Sequence, residues 1–166
     1  MHIPRVLKHL FYGDRMVRHA FPAACQAAIA QAIEESEKTH AGEIRFAIEG
    51  GLDGLALFKG QTPRERAIEV FSQLRVWDTA HNNGVLVYVL LADQAVEIVA
   101  DRGIHARVGS HHWNAVCQQM QSAFARDDFC AGALSGVAAL SHAMAEHYPA
   151  QSARANELPD APVIVG

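Results

Sequence analysis

Runs of basic residues are missing from this chain. With a formal net charge of −4 it offers no electrostatic footprint for nucleic acid. No apolar run approaches the roughly 20 residues that a membrane-spanning helix needs. The opening stretch MHIPRVLKHLF is too polar, and too broken by Pro4, to read as a signal peptide. Cysteine is scarce. Cys25, Cys117 and Cys130 stand at unrelated spacings with no CxxC, so zinc and haem signatures are absent. The ten histidines include no HExxH. No GxSxG elbow, GxGxxG or P-loop occurs. These absences point to a soluble, cytoplasmic protein with no nucleic-acid partner and no membrane span. What is present is apolar mass: 50% of 166 residues, enough for one domain with a real core.

The stretch from Trp77 to Gly103 organises that core. A polar loop leads into an apolar run, Val85 to Leu91, interrupted only by Tyr88. Such a run predicts a strand buried on both faces. A short turn at Ala92, Asp93 and Gln94 and a second run, Ala95 to Ala100, complete a hairpin. Upstream, residues 43 to 49 alternate, with Ile44, Phe46 and Ile48 on one side and Glu43, Arg45 and Glu49 on the other. That period predicts a half-buried strand. Residues 50 to 61 carry four glycines and read as a loop. Thr62-Pro63-Arg64-Glu65 reads as a capping box opening a helix with Ile68, Phe71 and Leu74 on one face. Trp113, Val116, Cys117, Met120 and Phe124 form another helical stripe, with Cys117 as a buried thiol. Two N-terminal helices and a last one reaching Tyr148 complete the count, and the tail from Gln151 reads as disordered. The expected class is α/β: a three-layer α/β/α sandwich around a small mixed sheet, with a βαβ unit and an antiparallel hairpin. The expected division is an N-terminal helical extension (1–21), the α/β domain (22–149) and a flexible tail (150–166).

This topology has a consequence for chemistry. Parallel pairing puts the starts of the first two strands at one end of the sheet, and the hairpin returns the third strand there. His40, Glu43, Asp78, His81, Asn82, Asn83, Asp101 and Arg102 should then share one edge. Carboxylates and amides are hard oxygen ligands suited to calcium or magnesium, and an arginine beside them suits a phosphate or carboxylate. The same residues also read as plain structure. Asn82-Asn83-Gly84 and Asp101-Arg102-Gly103 are turns in their own right, and Glu43 suits a solvated strand position. The opposite end carries Glu49, Asp53 and Asp93 beside the glycine-rich loop and ranks second. His105, His111 and His112 read as surface residues near a helix start rather than a soft-metal patch.

HxxEI at residues 40 to 44, NNGVLVYVLL at 82 to 91, VEIVADRGI at 96 to 104, Trp113 and a last helix reaching Tyr148-Pro149 together resemble the TPM-domain family, found in thylakoid-lumen, bacterial and animal proteins. The resemblance spans residues 22 to 149 and implies an α/β/α sandwich. Some members of that family are described as acid phosphatases or as binders of calcium and other divalent ions. Others act in photosystem repair or as auxiliary proteins of membrane receptors. The positions matching the family's polar edge are Asp78, Asn83 and Asp101, with Glu43 and Arg102 near them. This chain departs from many relatives in lacking a signal peptide, membrane helix or low-complexity tail. It also has His19-Ala20-Phe21-Pro22 where many carry an acidic motif, which weakens the phosphatase reading.

The expectation is a bacterial-type, stand-alone domain that binds a divalent cation, calcium or magnesium. Asp78, Asn83, Asp101 and Glu43 are its candidate ligands. Asp78 and Asp101 double as catalytic groups if a phosphate-containing small molecule is hydrolysed, and Arg102 contacts the anion. The competing expectation is a non-enzymatic assembly module that meets an unknown protein partner through its helical faces, including residues 6 to 11.

Overall fold

The computed structural model describes residues 3–150 and 155–166. In chain order its elements are α1 (Ile3–Phe11), α2 (Asp14–Ala20), α3 (Ala23–Ser36), β1 (Glu43–Glu49), α4 (Gly54–Phe58), α5 (Pro63–Gln73), β2 (Gly84–Leu90), β3 (Ala95–Ala100), α6 (Arg102–Val108), α7 (Ser110–Phe124), α8 (Phe129–His147) and β4 (Val163–Val165). The described strands form one mixed sheet in the order β3-β2-β1-β4. β2 runs parallel to β1, with Glu43 opposite Gly84, and antiparallel to β3, with Val85 opposite Ala100.

Every residue of β2 is buried, as an apolar strand inside a covered sheet requires. Alternation divides the sheet between two layers. Ile44, Phe46, Ile48, Val85, Val87 and Val89 join Ile29, Ile33, Met120 and Leu140 from α3, α7 and α8. Ala47, Leu86, Tyr88 and Leu90 face the other way, against Leu57, Ala67 and Val70 of α4 and α5. The architecture is therefore the α/β/α sandwich around a small mixed sheet. The capping box at Thr62 and Glu65 opens α5 as its sequence predicts. Phe21 anchors the N-terminal segment in the first layer, its ring 6.3 Å from Phe46, 5.9 Å from Phe124 and 5.8 Å from Phe129.

Several local expectations need correction. The stretch 50 to 61 is not all loop, because the Asp53 carboxylate accepts the Ala56 N–H at 2.8 Å and caps α4. Residues after the Asp101 corner form α6, placing Ile104 and Val108 in the core. The tail is ordered over residues 155–166; residues 151–154 lie outside the described part. Residues 163–165 pair in parallel with 47–49 and cover the outer edge of β1, which would otherwise present unpaired backbone groups. β1 is consequently buried rather than half-buried, apart from Arg45. Its polar side chains stay because each has partners: Arg45 donates to the carbonyls of Pro159 and Ala161, and Glu43 accepts the N–H groups of Glu157 and Leu158.

Cys25 and Cys130 form a disulfide between the starts of α3 and α8, closing a separation of 105 residues. The sequence reading did not pair them. Cys117 is the free cysteine among the described residues, half-buried, and burial pushes its thiol up to about 11, so it stays protonated and unreactive. Bridges of this kind persist in oxidising compartments and are opened in most cytosols. A loop of this length makes the bridge worth about 4–5 kcal/mol, through the lost freedom of the unfolded chain. Urea unfolding of the oxidised protein and of Cys25→Ala/Cys130→Ala should differ by that amount; equal midpoints would show that the bridge adds nothing.

Candidate functional site

The polar end of the sheet is built by two close backbone approaches. A Cβ on Gly84 would lie 2.0 Å from the Val76 carbonyl oxygen, so only glycine lets the loop after α5 fold over the start of β2. A Cβ on Gly103 would lie 2.5 Å from the Asn82 carbonyl oxygen, so the same loop rests on the first turn of α6. Hydrogen bonds tie these pieces together. The Asp101 N–H donates to Gly84 O at 2.9 Å, and the Ile104 N–H donates to Asn82 O at 3.2 Å. The 78–83 loop and the Asp101-Arg102-Gly103 corner therefore share one end of the sheet.

Within that end the candidate residues play different parts. Asn83 is fully buried. Its amide Nδ2 donates to Ala41 O, and its backbone N–H donates to the Thr79 hydroxyl at 3.1 Å. Its Oδ1 is buried with no hydrogen-bond partner. Asp101 caps α6, its Oδ1 accepting the Arg102 N–H at 2.7 Å, while its Oδ2 is buried and unpartnered. Arg102 follows on the exposed side. Asp78 is 57% exposed, 3.9 Å from the Arg75 guanidinium. Glu43, only 4% exposed, faces the C-terminal segment. The structure thus gathers Asn83 and Asp101 with Arg102 at one edge, sets Asp78 on its outer loop, and turns Glu43 to holding residues 157 and 158.

His40 belongs to the same end. It is 2% exposed, and its Nδ1 accepts the Gly42 N–H at 3.2 Å. Its Nε2 is buried without a partner. Burial pushes its pKa from 6.5 down to about 4.

At the opposite end every acid is occupied. The Glu49 carboxylate accepts two hydrogen bonds from Arg66, at 2.9 and 3.0 Å, and one from the Tyr88 hydroxyl at 2.6 Å. The bonds to Glu49 raise the Arg66 pKa, while burial and the adjacent carboxylate raise that of Tyr88. Burial acts to raise the Asp93 carboxyl, but hydrogen bonds from Arg5 and His9 outweigh it and hold it below the usual range. Asp53 caps α4. A cleft of about 450 Å³ lies here, lined by Glu49, Lys59, Glu65, Arg66 and Glu69 among others. Its mixed charges compensate one another and single out no ligand.

Among the described residues no group of three or more His, Cys, Asp or Glu is placed to hold a metal. His105 accepts the Trp113 indole N–H at 3.0 Å, and His112 meets His147 edge to face with ring centroids 5.0 Å apart. The donors at the polar end are instead one carboxylate oxygen and one amide oxygen, a set that a count of acids and imidazoles misses. Both are oxygen donors of the type that a hard cation takes.

The family model of the TPM domain matches residues 18–143, and the chain belongs to this family. Among solved structures it is similar to the BA42 protein from the psychrophilic bacterium Bizionia argentinensis, determined by NMR. The two are 29% identical, the match covers 87% of this chain and 95% of that one, and the TM-score is 0.73. The N-terminal domain of a protein from P. gingivalis, determined by solution NMR, shares the fold at 15% identity, covering 78% of this chain and 82% of that one with a TM-score of 0.61. No curated protein matches.

The depressed His40 sets a pH test. The unfolded imidazole takes up its proton near 6.5 and the folded one near 4, so the unfolded state binds more protons between them. Stability is full above 6.5 and falls as pH drops towards 4, by about 3 kcal/mol in all. Urea denaturation at pH 7 and pH 5 should show a loss of roughly 2 kcal/mol in the wild type that His40→Gln lacks. Equal pH dependence in both would refute the assignment.

Proposed function

We propose that the chain binds a divalent cation, calcium or magnesium, at the polar end of the sheet. Two buried, unpartnered oxygens, Asn83 Oδ1 and Asp101 Oδ2, carry the reading. A buried acceptor without a donor costs about 1–3 kcal/mol, and the presence of two at one sheet end is accounted for by a cation. Asp78 supplies a further carboxylate from the exposed loop, and Glu43, at the start of β1, adds negative potential. Bound there, the ion would supply positive charge for an anionic oxygen of a substrate. Arg102, exposed beside Asp101, contacts the same anion.

The hydrolytic extension of this reading is a phosphatase-like activity on phosphate-containing small molecules. It is supported by membership in a family whose model bears a phosphatase name. In that scheme Asp101 would hold the cation and Arg102 the phosphate, while Asp78 takes a proton from the water whose oxygen bonds to phosphorus as the ester P–O bond breaks, the leaving oxygen taking a proton from solvent.

The test uses NMR of the labelled full chain. Calcium or magnesium should shift the amides of residues 78–84 and 101–104 first. Asp101→Asn keeps an N-capping side chain but removes the charge, and should weaken binding at least about tenfold, or 1.4 kcal/mol, with an unchanged circular dichroism spectrum. Shifts elsewhere, or equal affinity in the variant, would remove the site. Hydrolysis of p-nitrophenyl phosphate that is undiminished in Asp101→Asn would remove the enzymatic extension alone.

A further inference from the structure

Helix α1 is mounted inside out. An amphipathic helix ordinarily turns its apolar stripe to the core. Here the polar residues point inward. Arg5 makes a forked pair with Asp93, at 2.7 and 3.1 Å, and donates to Gln61 O at 2.8 Å. His9 accepts the Leu52 N–H through Nδ1 at 2.8 Å, which leaves Nε2 to donate to Asp93 at 3.0 Å. Asp93 thus clasps the polar face of α1, and the opposite face is left outside. Leu7, Leu10 and Phe11 lie on that face, 51%, 73% and 77% exposed. Met16, in α2, is 36% exposed.

Charge indicates what this face meets. Residues 1 to 20 hold four of the 14 Lys and Arg but only one of the 18 Asp and Glu. Of these, Lys8, Arg15 and Arg18 are exposed, and the acid, Asp14, lies 3.9 Å from Arg18. A short apolar strip edged by cations, on a protein that is acidic elsewhere, matches the headgroup region of an anionic bilayer. No helix among the described residues is long and apolar enough to cross a membrane, so the contact is with its surface.

We propose that α1 docks the protein on an anionic lipid surface, inserting Leu7, Leu10 and Phe11 between headgroups while Lys8 and Arg15 meet lipid phosphates. These residues are separate from the polar sheet end, so the proposal stands apart from the cation site.

The test is flotation of the full chain with vesicles of phosphatidylcholine alone or mixed with phosphatidylglycerol. Each surface cation contributes about fivefold, so the net two of this segment should favour the anionic vesicles about thirtyfold at low salt. Leu10→Ser/Phe11→Ser changes exposed positions only and should abolish flotation with an unchanged circular dichroism spectrum. Lys8→Gln/Arg15→Gln brings that net charge to zero and should erase the preference between the two vesicles. Absence of flotation, or equal flotation with both vesicles, would overturn the proposal. So would a wild-type dimer in sedimentation velocity that Leu10→Ser/Phe11→Ser makes monomeric, because the face would then belong to a second copy.

Discussion

Strand β2 is paired on both edges and buried on both faces, and this enclosure imposes the rest of the design. A strand in that position tolerates no unpaired polar group. Its one polar side chain, Tyr88, is accepted because its hydroxyl meets Glu49, which in turn meets Arg66. The parallel partner on one edge and the antiparallel one on the other bring the start of β1, the start of β2 and the end of β3 to the same place. Polar residues flanking an apolar strand are thereby collected, not scattered.

The two ends of the sheet answer the same constraint differently. At one, Glu49 and Asp93 have cationic or hydroxylic partners, so burial of charge is offset. Removing one member of such a set strands the other, which is why these groups act as fasteners of α1 and α5 to the sheet. At the other end Asn83 uses its amide nitrogen and Asp101 one carboxylate oxygen structurally, and each leaves its remaining oxygen buried without a donor. The two ends thus differ in whether their buried acceptors are met, and the proposed cation site rests on that difference.

Much of this was legible in the residues because it rests on period and spacing. The apolar run around Tyr88, the alternation at 43 to 49 and the capping box at Thr62 each map to the element they predict. What escaped was decided by contacts distant in sequence. The tail looks like linker by composition, yet Val163–Val165 has β-branched residues and a vacant edge to pair with. Cys25 and Cys130 are 105 residues apart, and only the packing of α3 on α8 brings their Cα atoms within 5.7 Å. Asp101-Arg102-Gly103 looks like a turn by composition, although Ile104 and Val108, four apart, carry the helical spacing that makes Asp101 a cap. Glu43 resembled a solvated acid because nothing local announces that residues 157 and 158 will offer it their N–H groups.

The inversion of α1 follows from the same reasoning about ends. Asp93 sits in the β2–β3 turn, where a half-buried carboxylate requires a partner. Arg5 on α1 supplies the cation and His9 a ring N–H, so the helix docks through these two side chains, and the ion pair with its hydrogen bonds fixes the orientation. Its leucines and phenylalanine are then excluded from a core already closed by Leu52 and Leu57. An exposed apolar strip of this kind gains nothing for the isolated fold. Its stabilisation has to come from a second phase or a second surface, and the surrounding Lys8, Arg15 and Arg18 give that surface a negative sign.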